Sequence, residues 1–433
     1  MPRTSGTTYR VTGADLCMIN SRYIGVAGPA RGLSADAVRS TLQDLADSGT
    51  HTRIGLLPKQ GTVSWEVSDT LGADAVRVVE PCSTSGQLES AIAAVRRRDG
   101  ERLPLEVTIC GEYLFIDTAH GLSDGKLFVD LVEALHLNDV HGASEWSLGL
   151  ESSHVIPRTL WRWFALHPLK LRDSWRALKR MQALKQQSLA EVEQPEDSET
   201  VPWSPSPSVV IRQSTAASEA AVSAWRKKNA PSAGAATVAL WLVRCAMERV
   251  GLESTPAVTI AINCRRYLNA KTTVNGNFAV GLNVAISGAR PIEPQAQVLD
   301  AVYTSGLPLA VLGVVSAGVR IKSATDRTAV DRVLRNPKVK LMYSDLGRPP
   351  SWARVPWTEG EGSQFAGLLD PSAPDAITVM CGVVGKERTY SVSFHDNVFD
   401  RAKIEQAMDL IVNDPLLLLD SVPSDLVEQQ ERV

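Results

Sequence analysis

The chain has 433 residues, more than one ordinary hydrophobic core organises, so two domains or two similar lobes around a shared interface are expected. A hydrophobic fraction of 44%, a charged fraction of 21% and a formal net charge of -3 are those of a soluble globular protein and provide no global attraction for nucleic acid. The cysteines Cys17, Cys82, Cys110, Cys245, Cys264 and Cys381 form no C-x-x-C pair, which argues against a zinc site or a disulfide framework and for reduced thiols; with no apolar leader in "MPRTSGTTYRVTG" and no membrane-spanning segment, a cytoplasmic location is expected.

In chain order, residues 34–49, "SADAVRSTLQDLADSG", place Val38, Leu42 and Leu45 on one face, with Ser34 as N-cap and Gly49 as stop, and predict an amphipathic helix. "LPLEVTIC" alternates through Leu105, Val107 and Ile109, Gly111 and Glu112 make a turn, and "YLFIDTA" resumes an extended run, so a hairpin leading into His120 is expected. After Asp124 the apolar spacing becomes helical through Leu127, Phe128, Leu131, Val132 and Leu135, with Lys126, Asp130 and Glu133 on the opposite side. Residues 157–187 combine Trp161, Trp163, Phe164 and Trp175 with many Lys and Arg and a single acid, Asp173. They are read as a surface helix packing its aromatic side on the first domain, the alternative being a docking surface for an acidic carrier protein, an anionic membrane or a lipid-bearing substrate.

The acidic, then Pro- and Ser-rich stretch from 191 onward lacks apolar periodicity and is the expected connection, giving an N-terminal domain at 1–190, a linker at 191–210 and a C-terminal domain at 211–433. Beyond it a helix near 215–228, the apolar "AATVALWLVRCAMERVG", the strands "AVTIAINCR", "GLNVAI", "DAITVMCGVV" and "TYSVSF", and a final helix begun by Asp400 are expected. No repeat, no phosphate-binding P-loop, no dinucleotide fingerprint and no serine-hydrolase elbow occurs. His136 and His141 lie five apart beside Asp139, a spacing that does not converge on a regular helix, so no metal site is expected; His395 and Asp396, at a strand end, are expected in an exposed turn, the alternative being that they line the cleft.

The chemistry concentrates in "HGLSDG", residues 120–125. A lone histidine beside an apolar strand is ordinarily a satisfied core or edge residue, but here a titratable ring ends a strand and an acid starts a helix four residues later. Gly121 and Gly125 allow tight backbone geometry, Asp124 suits the positive helix N-terminus, and the first-turn N–H groups starting near Gly125 are placed to stabilise charge on an acyl oxygen.

"HGLSDG" resembles the H-x-x-x-D-G motif of the coenzyme A-dependent acyltransferase superfamily, which includes chloramphenicol acetyltransferase, plant BAHD enzymes, polyketide-associated acyltransferases and condensation domains of nonribosomal peptide synthetases. "INCRR" (262–266) is similar to the family's arginine strand motif and maps that arginine onto Arg265; "NGNFAVG" (275–281) resembles the Gly-Asn-Phe segment, and "YSDLGRP" (343–349) the Ser-Asn-Leu-Gly segment, with Asp345 where Asn is frequent. Ala119 precedes His120, as in branches with a single histidine, and the BAHD signature Asp-Phe-Gly-Trp-Gly is missing. The resemblance implies an α/β fold of two chloramphenicol acetyltransferase-like domains forming a pseudo-dimer with a substrate tunnel at their interface. It further implies His120 as general base, Gly125 as a backbone oxyanion contact, an Asp124–Arg265 salt bridge supporting the loop, and Asn277, Tyr343 and Ser344 near substrate. The implied reaction moves an acyl group from a thioester to a hydroxyl or amine in specialised metabolism. Acyl-coenzyme A or a phosphopantetheinyl carrier is the co-substrate, no cofactor is tightly bound, and the chain is monomeric. A free-standing condensation enzyme using carrier-bound substrates, and a non-catalytic recruitment domain of the same fold, are the alternatives.

Overall fold

The computed structural model describes residues 7–68, 71–72, 75–81, 85–138, 154–192, 199–270, 272–321, 330–358 and 362–420. The chain begins with β1 (Thr8–Arg10), the short helix α1 (Gly13–Cys17), β2 (Arg22–Gly28) and α2 (Ala35–Ser48), followed by β3 (Leu56–Leu57), β4 (Ser64–Val67), β5 (Val76–Val79) and α3 (Ser85–Arg97). A hairpin of β6 (Leu105–Cys110) and β7 (Tyr113–Ala119) leads into α4 (Gly125–Leu137), and the pair α5 (Val155–Leu166) and α6 (Lys170–Val192) closes the first half. The hairpin is the expected one: Cys110 pairs with Tyr113 across Gly111, whose φ of +60° a glycine adopts freely.

The second half holds β8 (Thr200–Pro202), β9 (Pro207–Gln213), α7 (Ala216–Asn229), α8 (Ala235–Arg249), β10 (Ala257–Asn263), β11 (Ala279–Ala285), α9 (Ile292–Ser305) and α10 (Leu307–Ile321). It continues with β12 (Arg332–Leu334), β13 (Lys340–Asp345), β14 (Gln364–Leu369), β15 (Ala376–Val384), β16 (Glu387–His395), α11 (Arg401–Asn413) and α12 (Pro415–Leu419). Its sheet has the order β11-β10-β13-β15-β16-β9, mixed in direction, with parallel pairing of β13 to both β10 and β15. Helix α8, buried from Val238 to Met247, fills the core against this sheet, as its continuous apolar run requires.

The first sheet runs β14-β2-β7-β6-β5, so its edge strand comes from residues 364–369, deep in the C-terminal half. From that position β14 also reaches the second sheet: Gly367 N–H donates to Ser391 Oγ (3.1 Å) and Leu369 N–H to Ser393 Oγ (3.2 Å). A buried cluster joins the halves through Ile24, Phe115, Val209, Ile211, Ala366 and Leu368. The 191–210 stretch, expected as a connection, contains β8 and the start of β9, whose Val209 and Val210 are buried in the second sheet.

Several expectations need correction. Asp130 and Glu133 of α4 are buried rather than solvated, because the segment around Pro350–Arg354 covers that side of the helix; Arg354 Nε donates to Glu133 Oε1 (2.8 Å) and Trp352 Nε1 to the Val129 carbonyl (3.1 Å). Cys110 is disulfide-bonded, while Cys17, Cys245, Cys264 and Cys381 are free, so the reading of reduced thiols throughout fails at the hairpin end where parallel β5 and β6 set Val79 beside Cys110. Ser34 makes no side-chain cap bond to α2. The aromatic side of α5 packs on the second half instead of the first: Trp163 stands edge-on to Tyr267 at 4.8 Å, while Trp161 and Trp175 are exposed. No single described helix is long and apolar enough to cross a membrane.

Candidate active site

His120 leaves the end of β7, anchored by its N–H to the Ser21 carbonyl (2.8 Å), and its ring stands edge-on to Tyr23 with centroids 5.2 Å apart. The imidazole is half-buried, and its Nδ1 is buried with no hydrogen-bond partner among the described residues. Burial pushes its pKa below the ordinary value of 6.5, an effect opposed by local backbone groups of His120 and Ser123, the Asp124 charge and the Asn277 amide. The ring is therefore neutral at neutral pH, the form a proton acceptor needs.

Asp124 is the N-cap of α4: its Oδ1 accepts from Lys126 N–H (3.1 Å). Its Oδ2 accepts from Arg265 Nη1 (2.7 Å) and from the Phe278 N–H (2.9 Å). Burial raises the carboxyl pKa, but the Arg265 charge and these three hydrogen bonds outweigh it and hold the group below the usual carboxylate range. Arg265 is equally occupied, its Nε donating to the Val274 carbonyl (3.0 Å) and its Nη2 to the Gly276 carbonyl (2.6 Å). The guanidinium fork thus clamps the 274–278 loop of the second half onto the histidine loop of the first. Asn263, two residues before Arg265, supplies the turn that aims it, its Oδ1 accepting from the Arg265 N–H (2.9 Å).

Gly121 and Gly125 do not have positive φ, and the tight geometry expected of them takes the form of close packing. A Cβ on Gly125 would lie 2.8 Å from Leu346 Cδ2, which makes close approach of the segment after β13 the constraint. In the first turn of α4, Lys126 N–H is taken by Asp124 Oδ1 and Leu127 N–H by the Asp124 carbonyl (3.1 Å). Gly125 N–H is left without a partner among the described residues, which narrows the expected first-turn donors to that one group.

Asn277 Nδ2 donates to the His120 carbonyl (2.9 Å) and to Asp15 Oδ1 (3.2 Å), so its amide holds the histidine loop. Tyr343 is packed into the second core with its hydroxyl donating to Asp345 Oδ2 (3.1 Å); Ser344 lies on the opposite face of β13, with Met342 and Leu346, which pack against the first core. Asp345 forms a buried ion pair with Arg388 (2.6 Å), which offsets the cost of burying its charge. His395 is buried, not in an exposed turn, its Nδ1 accepting from Ser206 N–H (3.1 Å). His136 directs Nδ1 to the Val132 carbonyl (2.7 Å); Asp139 and His141 lie outside the described residues.

Sequence reasoning missed a second buried network beneath the loop. Arg53, in the left-handed region at φ 63°, donates from Nη1 to Asp15 Oδ1 (3.0 Å) and to the Leu122 carbonyl (2.9 Å), while Asn277 N–H donates to the same Asp15 oxygen (2.9 Å). Ser123 Oγ donates to the Asn275 carbonyl. A capping box does sit in the sequence, since Thr12 and Asp15 cap α1 reciprocally, but nothing local to Asp15 points to a contact with Asn277.

No family model matches the sequence, and no curated protein sequence matches it. Solved structures do. The chain is similar to trichothecene 15-O-acetyltransferase TRI3 from Fusarium sporotrichioides, with a TM-score of 0.60 at 11% identity over 94% of each chain. It is similar to polyketide synthase associated protein 5 from Mycobacterium tuberculosis (TM-score 0.56, 14% identity, 94% of this chain and 98% of that one). It is also similar to the condensation domain of the monacolin K polyketide synthase MokA (TM-score 0.55, 12% identity, 96% and 99%). A chain whose two mixed sheets are joined by a crossing strand, and which overlays these structures along nearly its whole length, has the two-domain, chloramphenicol acetyltransferase-like fold that they share.

Proposed function

We propose that the protein is an acyltransferase that moves an acyl group from a thioester to a hydroxyl or amine, with His120 as general base. The observation that carries this reading is a half-buried imidazole with a lowered pKa, on a loop that Arg265 and Asn277 hold from the other half of the chain. His120 takes the proton of the acceptor as its oxygen or nitrogen attacks the thioester carbonyl. The C–S bond then breaks and the proton passes to the departing thiolate, so no covalent acyl-enzyme is required. Gly125 N–H is the donor we assign to the oxygen that gains charge. Asp124 and Arg265 touch no reacting atom; they are positioning residues.

Substrates reach His120 through a tunnel between the halves in this reading, and the donor is carried on a pantetheine arm, as coenzyme A or on a carrier protein, with no tightly bound cofactor. An acetyltransferase and a condensation domain among the similar structures support both forms of donor. The test is thiol release by purified protein offered acyl-coenzyme A donors of graded length, then acyl-loaded carrier protein, with a pool of alcohols and amines. Release that needs an acceptor and falls roughly 10²–10⁴-fold in His120→Ala supports the assignment. Release that is unchanged in His120→Ala overturns the base, and silence with every donor overturns the activity in favour of a recruiting domain of the same fold.

A further inference from the structure

Helices α5 and α6 present a surface unlike the rest of the chain. Residues 154–192 carry eight Lys and Arg against two acids, in a protein whose net charge is -3. Large apolar side chains are exposed in the same place: Trp161 at 76%, Leu166 and Leu169 flanking the turn between the helices, then Leu171 and Trp175 at 58%. The orientation of α6 is fixed from its other side, where Ser174 Oγ donates to the Ser305 carbonyl (2.7 Å) and Ala177, Leu178 and Met181 pack on the second core. Rotation therefore cannot bury Leu171 and Trp175, which lie one turn apart on the outer face. Arg172, Arg176 and Arg180 lie on the same helix with no ion pair among the described residues, Arg176 and Arg180 bordering a cavity on its inner flank, and Lys179 Nζ lies 5.3 Å from the Trp175 ring centroid.

We propose that this helical hairpin docks the protein on an anionic lipid bilayer, with Leu166, Leu169, Leu171, Trp161 and Trp175 entering the headgroup boundary and the arginines and Lys179 meeting lipid phosphates. Exposed Trp and Leu side chains and an excess of cations along the same two helices match an interface that is apolar at depth and negative at its surface. A second feature of α6 fits lipid better than an acidic protein. Its inner flank walls a cavity of about 440 Å³ lined by Leu282, Val284, Val298, Val302 and Leu307, with Lys170 and its ion-pair partner Asp173, Arg176 and Arg180 also on its lining. An apolar cavity of that size bordered by cations suits an acyl chain with an anionic head.

The test is flotation of the full-length protein with vesicles of phosphatidylcholine alone and of phosphatidylcholine mixed with phosphatidylglycerol. The protein is expected to float with the mixed vesicles, not with phosphatidylcholine alone, and to be released by high salt. Arg172→Glu with Arg176→Glu is expected to weaken binding roughly tenfold or more, and Leu169→Glu with Trp175→Ala to weaken it comparably, both with unchanged melting temperature. Absence of flotation with phosphatidylglycerol vesicles, or full flotation of the charge-reversed variant, overturns the proposal. Capture of an acidic acyl carrier protein by this surface without vesicle binding also overturns it, and assigns the surface to a protein partner.

Discussion

At the scale of single residues, the decisive quantity is the proton affinity of His120. The folded ring binds a proton less tightly than an exposed imidazole, because burial penalises the cation more than Asp124 and the nearby backbone favour it. The neutral base therefore persists below pH 6.5, and the acid limb of kcat/KM is expected at an apparent pKa lower than that value. Above about 6.5 both folded and unfolded chains leave this histidine neutral; below it the unfolded chain protonates first, so the stability this group contributes is lost as pH falls. His136 and His395, also pushed down chiefly by burial, act in the same direction. A kcat/KM profile and urea denaturation over pH 5–8 read the two effects separately. An acid limb displaced above the ordinary histidine value would contradict the environment assigned to the ring.

At the scale of elements, the loop between β7 and α4 is held from two directions. Asp124 was legible locally, as an acid before a helical run, while its pairing with Arg265 was legible only through the resemblance of two segments to one family's motifs. The Asp15–Arg53 side was not, since its partners are brought together only by the packing of α1 and the second half against the loop. Asp15 is fully buried and Arg53 only 2% exposed, so removing one partner strands a charge in the interior. Asp15→Ala is expected to destabilise the protein by roughly 3–5 kcal/mol, the range for breaking a buried pair, and to leave Asn277 without the oxygen its N–H and amide share. Adding Arg53→Met should recover part of that loss. If the double variant is no more stable in urea than Asp15→Ala alone, the pair is not what fixes the loop.

At the scale of the whole molecule, the two halves were expected as consecutive domains joined at 191–210. What the sequence left hidden is the exchange between them, because "QFAGLL" is a short apolar run whose partner sheet no periodicity can name. In the fold it becomes β14, pairing with β2 from Gln364 opposite Gly28 to Leu369 opposite Tyr23 while its N–H groups reach serines of β16. Without it, β2 would expose an unpaired edge along a strand that is buried almost throughout, and Ile24 and Phe115 would lose Ala366 and Leu368 from their shared cluster. A fragment of residues 1–210 is therefore expected to be insoluble or molten when expressed alone, and to become soluble when the remainder, 211–433, is coexpressed. A well-folded fragment, with a cooperative melt and sharp side-chain signals, would mean that β14 decorates the first sheet without completing it. Insolubility cured by the second fragment would instead make the loop carrying His120 and the residues that fasten it products of one folding event.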